Sequence, residues 1–346
     1  MATDDRTLTQ RELNRALLAR QMLLERARMR LPRALERMGG LQAQYAPSMY
    51  IGLWSRVEGF ERRHLNRALE RRSVIQGTLM RSTIHLVSKR DYWPFTVAVR
   101  RARQEWWLRA SGSRLRTAEI ERTADKVRRL LAAGPVDRAE LERLAGRSPA
   151  VAAGLWVDMV RVPPSGTWER RRADLFGAAE DWAGPENVEE DRARAHLIRR
   201  YLRAFGPASK KDIAAFTGLP MGDVTATLAG LRLRTFRDEA GGELFDVPGA
   251  PLPPPDTPAP VRFLPVWDAT LLVHARRTGI LPEQHRARVF NTRTPHSVNT
   301  LLVDGEVAGT WRFEKDRITL QPFGRLDRQT RKELEDEAER LAELHR

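Results

Sequence analysis

The sequence predicts a mainly helical α+β protein assembled from repeated units, and three observations support this fold class. The 346-residue chain is too long for one small core, so two to four domains are expected. A segment that begins at Gly134 recurs at Gly206 with the same spacing of polar and apolar residues. Beyond the proline-rich residues 248–260, the pattern changes from helical to strand-like.

The first predicted unit spans residues 1–116 and opens on a helix. Thr9 is followed three residues later by Glu12, which is the spacing of a capping box. A helical stretch of apolar residues then runs from Leu13 to Leu24. We therefore predict a helix at this point, as the start of a unit similar to the two internal ones.

The internal repeat predicts two helix-turn-helix segments. Each copy has a potential N-cap with an acid three residues later, Asp137 with Glu140 and Ser209 with Asp212. In each copy a short helix then ends at a glycine, and a second apolar helix follows.

A candidate hairpin follows each second helix, at residues 162–168 in one copy and at residues 238–242 in the other. Helix, turn, helix and hairpin is the order of elements in a winged helix-turn-helix. We therefore predict three winged-helix units in tandem, at residues 1–116, 117–187 and 188–249.

A linker and a small β module are predicted after the third unit. Residues 250–260 are rich in proline and should have no regular structure. In residues 261–346 three stretches have strand-like patterns: 261–266, 297–303 and 307–313. Asp304-Gly305 between the last two is a strong hairpin signal. An amphipathic helix from about Asp327 closes the module.

Composition excludes several classes of protein. No run of about 18 apolar residues is present, so no transmembrane helix is expected. Residues 1–6 lack the basic and apolar regions of a signal peptide. The absence of cysteine excludes disulfides and thiolate catalysis and fits a reducing cytoplasm. The histidines have no metal-ligand spacing, so we predict no metal and no cofactor, and we expect a cytoplasmic monomer.

The charge distribution favours an anionic partner. The formal net charge is +15, and residues 1–116 hold 24 Lys and Arg against 10 Asp and Glu. A cationic region of this kind indicates nucleic acid, with double-stranded DNA as the first candidate. The alternative is an arginine-rich genome composition, with the charges on solvated faces, because only 6 of the 60 basic residues are lysine.

Residues 41–46 place two amides, Gln42 and Gln44, far in sequence from any carboxylate. Gly39-Gly40 before them and Pro47 after them disfavour helix on both sides. In an extended segment, residues two apart share a face, so both amides are expected to face one cavity. Without its context the Gln-x-Gln motif is weak, and a structural role is the simpler interpretation.

The surroundings of this pair give it more weight. Five blocks follow in order, namely Leu41-Gln42-Ala43-Gln44 and residues 50–56, 79–87, 263–268 and 301–311. In these blocks the chain resembles the AlkZ-like (AlkZ/YcaQ) winged-helix DNA glycosylase superfamily. The resemblance covers most of the chain, and several motifs in one order are far more specific than any one alone.

The resemblance implies both a fold and an active site. It implies three tandem winged helices and a C-terminal β-barrel-like module, which together form a concave DNA-binding channel. It places the catalytic pair at Gln42 and Gln44, in the form of the motif that unhooks natural-product adducts and crosslinks. The chain departs from the family at Ser82, because glycine often follows the arginine that corresponds to Arg81.

Two neutral amides suit one class of substrate. An amide is no general base near pH 7 and offers one acceptor oxygen and two donor hydrogens. Hydrolysis of an ordinary N-glycosidic bond needs a carboxylate or an acid for the leaving group. A purine alkylated at N7 is already cationic and leaves without protonation. Amide oxygens aimed at the water or at the sugar cation are therefore sufficient to catalyse hydrolysis of its N-glycosidic bond. No lysine precedes Lys89, which argues against a Schiff-base lyase mechanism.

Further residues are candidates for the site. Arg81 and His85, on one face of a predicted strand, are expected to contact DNA, with a solvated arginine and a half-buried histidine as the alternative. Asp268 is a reserve candidate for water activation, and a structural hydrogen bond is its alternative. The last candidate is a predicted turn that contains His274, Arg276 and Arg277. This turn is expected to contact DNA, and a plain surface turn is the alternative.

The sequence thus predicts a monofunctional DNA glycosylase for N7-alkylated guanine, in DNA repair or in self-resistance to a genotoxin. One alternative is a winged-helix transcription regulator, and another is a non-catalytic resistance protein that sequesters a DNA-reactive metabolite. The Gln42 and Gln44 pair and three DNA-binding units on one chain favour the enzyme. A typical regulator instead combines one such unit with a dimerisation helix and a ligand domain.

Overall fold

Helices make up about half of the chain, and the strands between them form three sheets within the described residues. The structure is a computed structural model that describes residues 2–110, 116–272, 279–290 and 297–346. This content of helix and sheet confirms the predicted α+β, mainly helical class.

The elements of the first predicted unit, residues 1–116, lie within residues 2–110. Its elements are β1 (Ala2–Leu8), α1 (Gln10–Arg20), α2 (Leu31–Met38), β2 (Leu41–Gln42), α3 (Ala46–Trp54), α4 (Arg62–Glu70), β3 (Val74–Thr78), β4 (Ile84–Ser88) and α5 (Lys89–Ala110). The predicted capping box is confirmed, because the Thr9 hydroxyl accepts the Glu12 amide and the Glu12 carboxylate accepts the Thr9 amide. α1 ends before the predicted residue 24, since Met22 has a left-handed φ of 57°.

The second and third predicted units share an order of three helices and two paired strands. The second contains α6 (Thr117–Leu131), β5 (Val136–Asp137), α7 (Arg138–Ala145), α8 (Arg147–Trp156), β6 (Met159–Arg161) and β7 (Leu175–Ala178), with α9 (Ala179–Ala183) after it. The third contains α10 (Glu190–Phe205), α11 (Lys210–Thr217), α12 (Met221–Ala229), β8 (Arg234–Asp238) and β9 (Glu243–Asp246). The predicted N-caps Asp137 and Ser209 accept the amides of Glu140 at 2.8 Å and Asp212 at 3.2 Å.

The two predicted hairpins differ in their connections. β8 and β9 pair antiparallel around a short turn, as predicted. β6 and β7 also pair antiparallel, but the loop between them runs over residues 162–174, so the hairpin predicted at 162–168 was placed too tightly. Ser165 holds this loop, because its hydroxyl donates to the Arg172 carbonyl at 2.9 Å and accepts the Asp174 amide at 2.8 Å.

Two of the sheets join the predicted units. One has the strand order β2-β4-β3-β6-β7-β5, in which Gly77 of β3 lies opposite Val160 of β6. Another has the order β1-β8-β9, in which β1 and β8 run parallel. The first unit therefore shares one sheet with the second unit and another with the third.

The C-terminal elements are β10 (Arg262–Leu264), α13 (Arg286–Val289), β11 (Thr300–Val303), β12 (Glu306–Glu314), β13 (Arg317–Pro322) and α14 (Arg328–His345). The four strands form an antiparallel sheet in chain order, and α14 packs against it. This corrects the barrel-like expectation. Within the described residues, the edge strands β10 and β13 do not pair, so the sheet stays open.

Buried arginines of the first unit bind distant parts of the chain. Arg20 at the end of α1 pairs with Asp246 of β9 at 2.7 Å, and both side chains are fully buried. Arg56 after α3 pairs with Asp268 at 2.9 Å, again with both side chains fully buried. Part of the positive charge of residues 1–116 is therefore neutralised inside the molecule and is not on its surface.

Candidate active site

The segment that carries Gln42 and Gln44 connects α2 to α3, as a short strand that continues into a bend. α2 ends at Gly39, where φ is 74°, and β2 pairs with β4 so that Gln42 lies opposite His85. The predicted non-helical path is confirmed, with strand at residues 41–42 and a bend at Gln44 and Tyr45. Pro47 acts differently from the prediction. It lies in the first turn of α3, where its missing N–H is not needed, and so begins a helix.

Both amides bind the segment 81–84 through their oxygen atoms. Gln42 is 8% exposed, and its Oε1 accepts from Nη2 of Arg81 at 3.2 Å. Gln44 is exposed, and its Oε1 accepts from the backbone amide of Ile84 at 3.3 Å. Both partners can only donate, so the oxygens must be the atoms that face them. Among the described residues nothing accepts from either NH2 group, which leaves those hydrogens for solvent or a bound molecule.

Arg81 lies in a tight turn before β4 and not on a strand, which corrects the expectation that it shares a strand face with His85. Met80–Ser82 form a 3-10 turn, in which Arg81 has φ of 53° and Ser82 has φ of 58°. Nη1 of Arg81 donates to the Phe216 carbonyl, and the guanidinium lies 5.1 Å from the centroid of the Phe216 ring. Burial lowers the pKa of Arg81 to about 10, so it is still a cation at pH 7.

His85 is buried beside this cation. It is 2% exposed, and its Nδ1 donates to the Thr83 carbonyl at 3.0 Å. Burial first, and then the nearby Arg81 charge, lower the pKa of His85 to about 3. The ring is therefore neutral at pH 7 and is more deeply buried than the half-buried alternative. A contact of His85 with DNA stays a prediction. At pH 7 the ring would make this contact in its neutral form.

Asp268 is held by an internal network. Its Oδ1 accepts from Arg56 at 2.9 Å, from the Thr270 amide at 3.0 Å and from the Thr270 hydroxyl at 2.8 Å. Its Oδ2 has no hydrogen-bond partner in the part of the chain that the structure describes. A role for Asp268 in water activation stays a prediction.

A cationic loop lies beside the amides and was not singled out in the sequence. Tyr45 follows Gln44 and is 41% exposed. Nη1 of Arg171 donates to the Tyr45 hydroxyl at 3.3 Å, and its guanidinium lies 6.0 Å from the centroid of the Tyr45 ring. Arg170 and Arg172 in the same loop are exposed. Three successive arginines in a hairpin loop were the available signal.

Three predicted DNA contacts cannot be placed. His274, Arg276 and Arg277 lie outside the described residues, so their role stays a prediction. Within the described ranges, no group of three His, Asp or Glu side chains is arranged to hold a metal ion. No helix in those ranges has the length and apolar character needed to span a membrane.

Residues 35–344 match the protein-family model described as "DNA glycosylase AlkZ-like". The chain belongs to the AlkZ-like DNA glycosylase family. The resemblance that the five sequence blocks indicated is thereby confirmed, and this AlkZ-like chain is an enzyme of the DNA glycosylase class. The matched range contains Gln42, Gln44 and every partner of their amides described above.

A curated protein and a solved structure, both from Streptomyces sahachiroi, are similar to this AlkZ-like glycosylase. The interstrand DNA cross-link repair glycosylase is 25% identical over 361 residues, which cover 94% of this chain and 93% of the relative. The solved structure of DNA glycosylase AlkZ matches with a TM-score of 0.81 at 20% identity, over 98% of this chain and 97% of that one. The structural similarity shows a shared fold over nearly the whole chain.

Proposed function

We propose that this AlkZ-like protein is a monofunctional DNA glycosylase that hydrolyses the N-glycosidic bond of N7-alkylated guanine and leaves an abasic site. The amide pair carries the proposal. Among the described residues, no hydrogen-bond partner of the Gln42 and Gln44 side chains is a carboxylate or a lysine. A site that relies on neutral amides suits a leaving group that needs no protonation.

The substrate itself makes up for the absence of an acid in the amide pair, because its leaving group is already cationic. A water oxygen bonds to C1′ of the sugar as the bond from C1′ to N9 breaks. The electron pair of that bond passes to N9 and neutralises the cationic ring, so the base leaves as neutral N7-alkylguanine. The attached water then loses a proton to solvent, which completes the hydrolysis.

Gln42 and Gln44 act by orientation and not by proton transfer. Each amide oxygen has a second lone pair besides the one used by Arg81 or Ile84, and this lone pair accepts a hydrogen of the attacking water. Each NH2 group offers donors to the nucleotide. Fixed dipoles of this kind stabilise the charge that develops on the sugar and the base.

The size of the substrate is inferred from the name of the Streptomyces relative and from the exposure of Gln44 and Tyr45. The similar Streptomyces protein is named as an interstrand DNA cross-link repair glycosylase. We propose that bulky natural-product adducts and interstrand crosslinks are also substrates of this chain. It would act on them in DNA repair or in self-resistance to a genotoxin. Gln44 and Tyr45 are exposed, so a bulky lesion reaches an amide without rotation into an enclosed cavity.

The proposed DNA surface is a concave channel formed by three winged helices. The loop that holds Arg170, Arg171 and Arg172 supplies phosphate contacts beside the amide pair, because arginine side chains match phosphate in charge and geometry. We further propose that the protein acts on double-stranded DNA as a monomer in the cytoplasm, which agrees with a chain that has no cysteine.

Duplex DNA with N7-methylguanine, or with a bulkier N7 adduct, tests the proposal. Wild-type protein should release the base and leave abasic sites, and Gln42→Ala and Gln44→Ala should each slow release by about 100-fold. Gln321→Ala is a matched control, since Gln321 is an exposed glutamine whose Oε1 accepts from Thr310 at 3.2 Å. Binding of duplex DNA without release of any N7 adduct would exclude the proposed activity on N7-alkylated guanine.

A further inference from the structure

An unpaired NH2 group lies at the centre of the site. Gln42 is 8% exposed, its oxygen is bound to Arg81, and its NH2 group has no acceptor among the described residues. Within the described residues the nitrogen of this group has no protein acceptor but is still reached by solvent. A bound nucleotide can therefore take the place of water as its hydrogen-bond partner.

Arg81 is fixed by the third unit. Its Nη1 donates to the carbonyl of Phe216 in the last turn of α11, and its guanidinium lies over the ring of the same residue. The residue four positions further on is Pro220, which has no N–H to offer that carbonyl. Gly218 brings α11 close, because a β-carbon on it would lie 3.4 Å from the Arg81 backbone nitrogen.

The backbone conformation directs Arg81 to Gln42. Arg81 and Ser82 both have backbone dihedrals in the left-handed region, which residues other than glycine rarely adopt. Such a conformation persists only where the surrounding structure fixes it, and it is often found at functional sites. Two backbone hydrogen bonds hold this turn, from the Ser82 amide to Leu79 at 3.2 Å and from the Thr83 amide to Met80 at 3.1 Å.

We propose that Arg81 is a positioning residue, which binds the Gln42 oxygen so that the Gln42 NH2 group is the donor that meets the departing purine. This inference rests on the proposed glycosylase function. The guanidinium polarises the amide and strengthens its NH2 group as a donor. The purine gains electron density as its bond to C1′ breaks, so this hydrogen bond is stronger in the transition state than in the ground state. Arg81 itself then makes no phosphate contact.

Arg81→Lys separates positioning from DNA contact. The charge is retained, but one ammonium group cannot reproduce the two-branched donation of the guanidinium. Arg161→Lys is the matched control. Arg161 is also buried, lies 5.1 Å from the centroid of a phenylalanine ring as Arg81 does, and donates to Thr78 instead of to an amide of the site.

The kinetic test uses enzyme in excess over a duplex with N7-methylguanine. Arg81→Lys should slow base release by about 100-fold, while the dissociation constant of the duplex and its dependence on salt stay as in the wild type. Arg161→Lys should match the wild type in all three quantities. Weaker binding with a salt slope smaller by about 0.9 and an unchanged rate would mean a phosphate contact, and would overturn the proposal.

Gln42→Glu tests the donor role. Glutamate keeps the size of the side chain and the bond to Arg81, but an oxygen that can only accept replaces the NH2 group. Base release should slow at least as much as in Gln42→Ala. A rate close to that of the wild type would mean that the substrate meets the oxygen, and would overturn the donor role.

A third measurement does not depend on activity. The 1H and 15N resonances of the Gln42 NH2 group, identified by their loss in Gln42→Leu, should shift in Arg81→Lys but not in Arg161→Lys. If wild-type protein releases no base from any N7 adduct, the proposed function fails, and these resonances still decide whether Arg81 holds the amide. Unshifted resonances would overturn the positioning role even in an active enzyme.

Discussion

At the scale of single residues, Ser82 stands where the AlkZ-like resemblance favours glycine, and its backbone explains that preference. Its φ of 58° lies in the left-handed region, as does the φ of 53° of the preceding Arg81. A side chain there costs on the order of 1 kcal/mol relative to glycine. The serine therefore adopts the conformation that glycine favours, and the sequence departure leaves the turn in place.

Replacement of Ser82 measures this backbone cost. Ser82→Gly should leave the free energy of unfolding unchanged or raise it by up to about 1 kcal/mol, because lower strain offsets the greater freedom of the unfolded chain. Ser82→Val should lower it by about 1–3 kcal/mol, because a β-branched residue is strained at this φ. Urea unfolding of the two variants checks both values. A clear loss of stability in Ser82→Gly would contradict the left-handed turn.

His85 makes the folded protein sensitive to acid. Burial lowers its pKa to about 3 from the ordinary value of 6.5. Between these values the unfolded chain binds a proton that the folded protein does not bind. The free energy of unfolding should therefore fall as the pH falls below 6.5, by about 1.4 kcal/mol per pH unit from this residue, and the contribution is constant above 6.5.

A neutral variant isolates this contribution from that of the other titrating groups. Urea unfolding of the wild type and of His85→Gln, across the acidic range down to about pH 4, gives the difference in stability between the two proteins. As the pH falls, the free energy of unfolding of the wild type should decrease relative to that of His85→Gln. A difference that is independent of pH would mean that His85 takes up its proton normally in the folded state.

The sequence predicts the amide pair and offers Arg81 as a further candidate, but it does not predict the hydrogen bonds that join them. Gly39-Gly40 ends α2 at the expected place, so the extended path of Gln42 follows from local chemistry. The bond between Arg81 and the Phe216 carbonyl joins residues 135 positions apart, and no local pattern encodes it. The turn at Arg81 was missed because it holds neither glycine nor asparagine, the usual signals of a left-handed conformation.

At the scale of elements, the hairpins show how far turn chemistry predicts structure. Asp304 and Gly305 have φ of 48° and 82°, which is the turn that Asp-Gly favours between two strands. Strand β13 was not predicted because the turn before it, Lys315-Asp316, has φ of 50° and 58° without a glycine. A hairpin without its usual turn residues gives no signal in one sequence.

Gly305 is needed for packing as well as for its turn. A β-carbon there would lie 2.6 Å from Cδ1 of Leu18 and 2.7 Å from Nη1 of Arg15, both on α1. Gly305→Ala should therefore lower the free energy of unfolding by about 3 kcal/mol, through strain and overlap together. Gly249→Ala is the control, because φ is 73° there but nothing lies within 4 Å, and it should cost only about 1 kcal/mol.

Urea unfolding of both glycine variants gives the comparison. The difference between them isolates the overlap of the hairpin with α1. Equal losses of stability in the two variants would contradict the docking of this hairpin on α1.

At the scale of the whole molecule, arginines serve both the interior and the surface. The excess of positive charge in residues 1–116 predicted a polyanion partner, yet Arg20 and Arg56 are fully buried against acids. Those acids are Asp246 and Asp268, which lie far along the chain. A count of charges by segment cannot separate such internal pairs from surface charge, because the pairing depends on the tertiary fold.

Asp246 tests the internal role of these charges. It accepts from Arg20 at 2.7 Å and from Arg234 at 2.6 Å in a fully buried position. Asp246→Asn should lower the free energy of unfolding by about 3–5 kcal/mol, because it leaves buried guanidinium charge uncompensated. Glu58→Gln, which breaks the exposed pair with Arg28, should leave unfolding close to that of the wild type. Similar urea midpoints for both variants would contradict this account.

The central claim is that two neutral amides release only a base that alkylation has already made cationic. Single-turnover release from two duplexes tests it most directly, with N7-methylguanine in one and uncharged hypoxanthine at the same position in the other. The account predicts that N7-methylguanine is released well above its spontaneous rate, that Gln42→Ala and Gln44→Ala each slow this release by about 100-fold, and that hypoxanthine release is not accelerated. Equal acceleration of both bases would contradict it, because the site would then have to supply an acid that the amide pair does not provide.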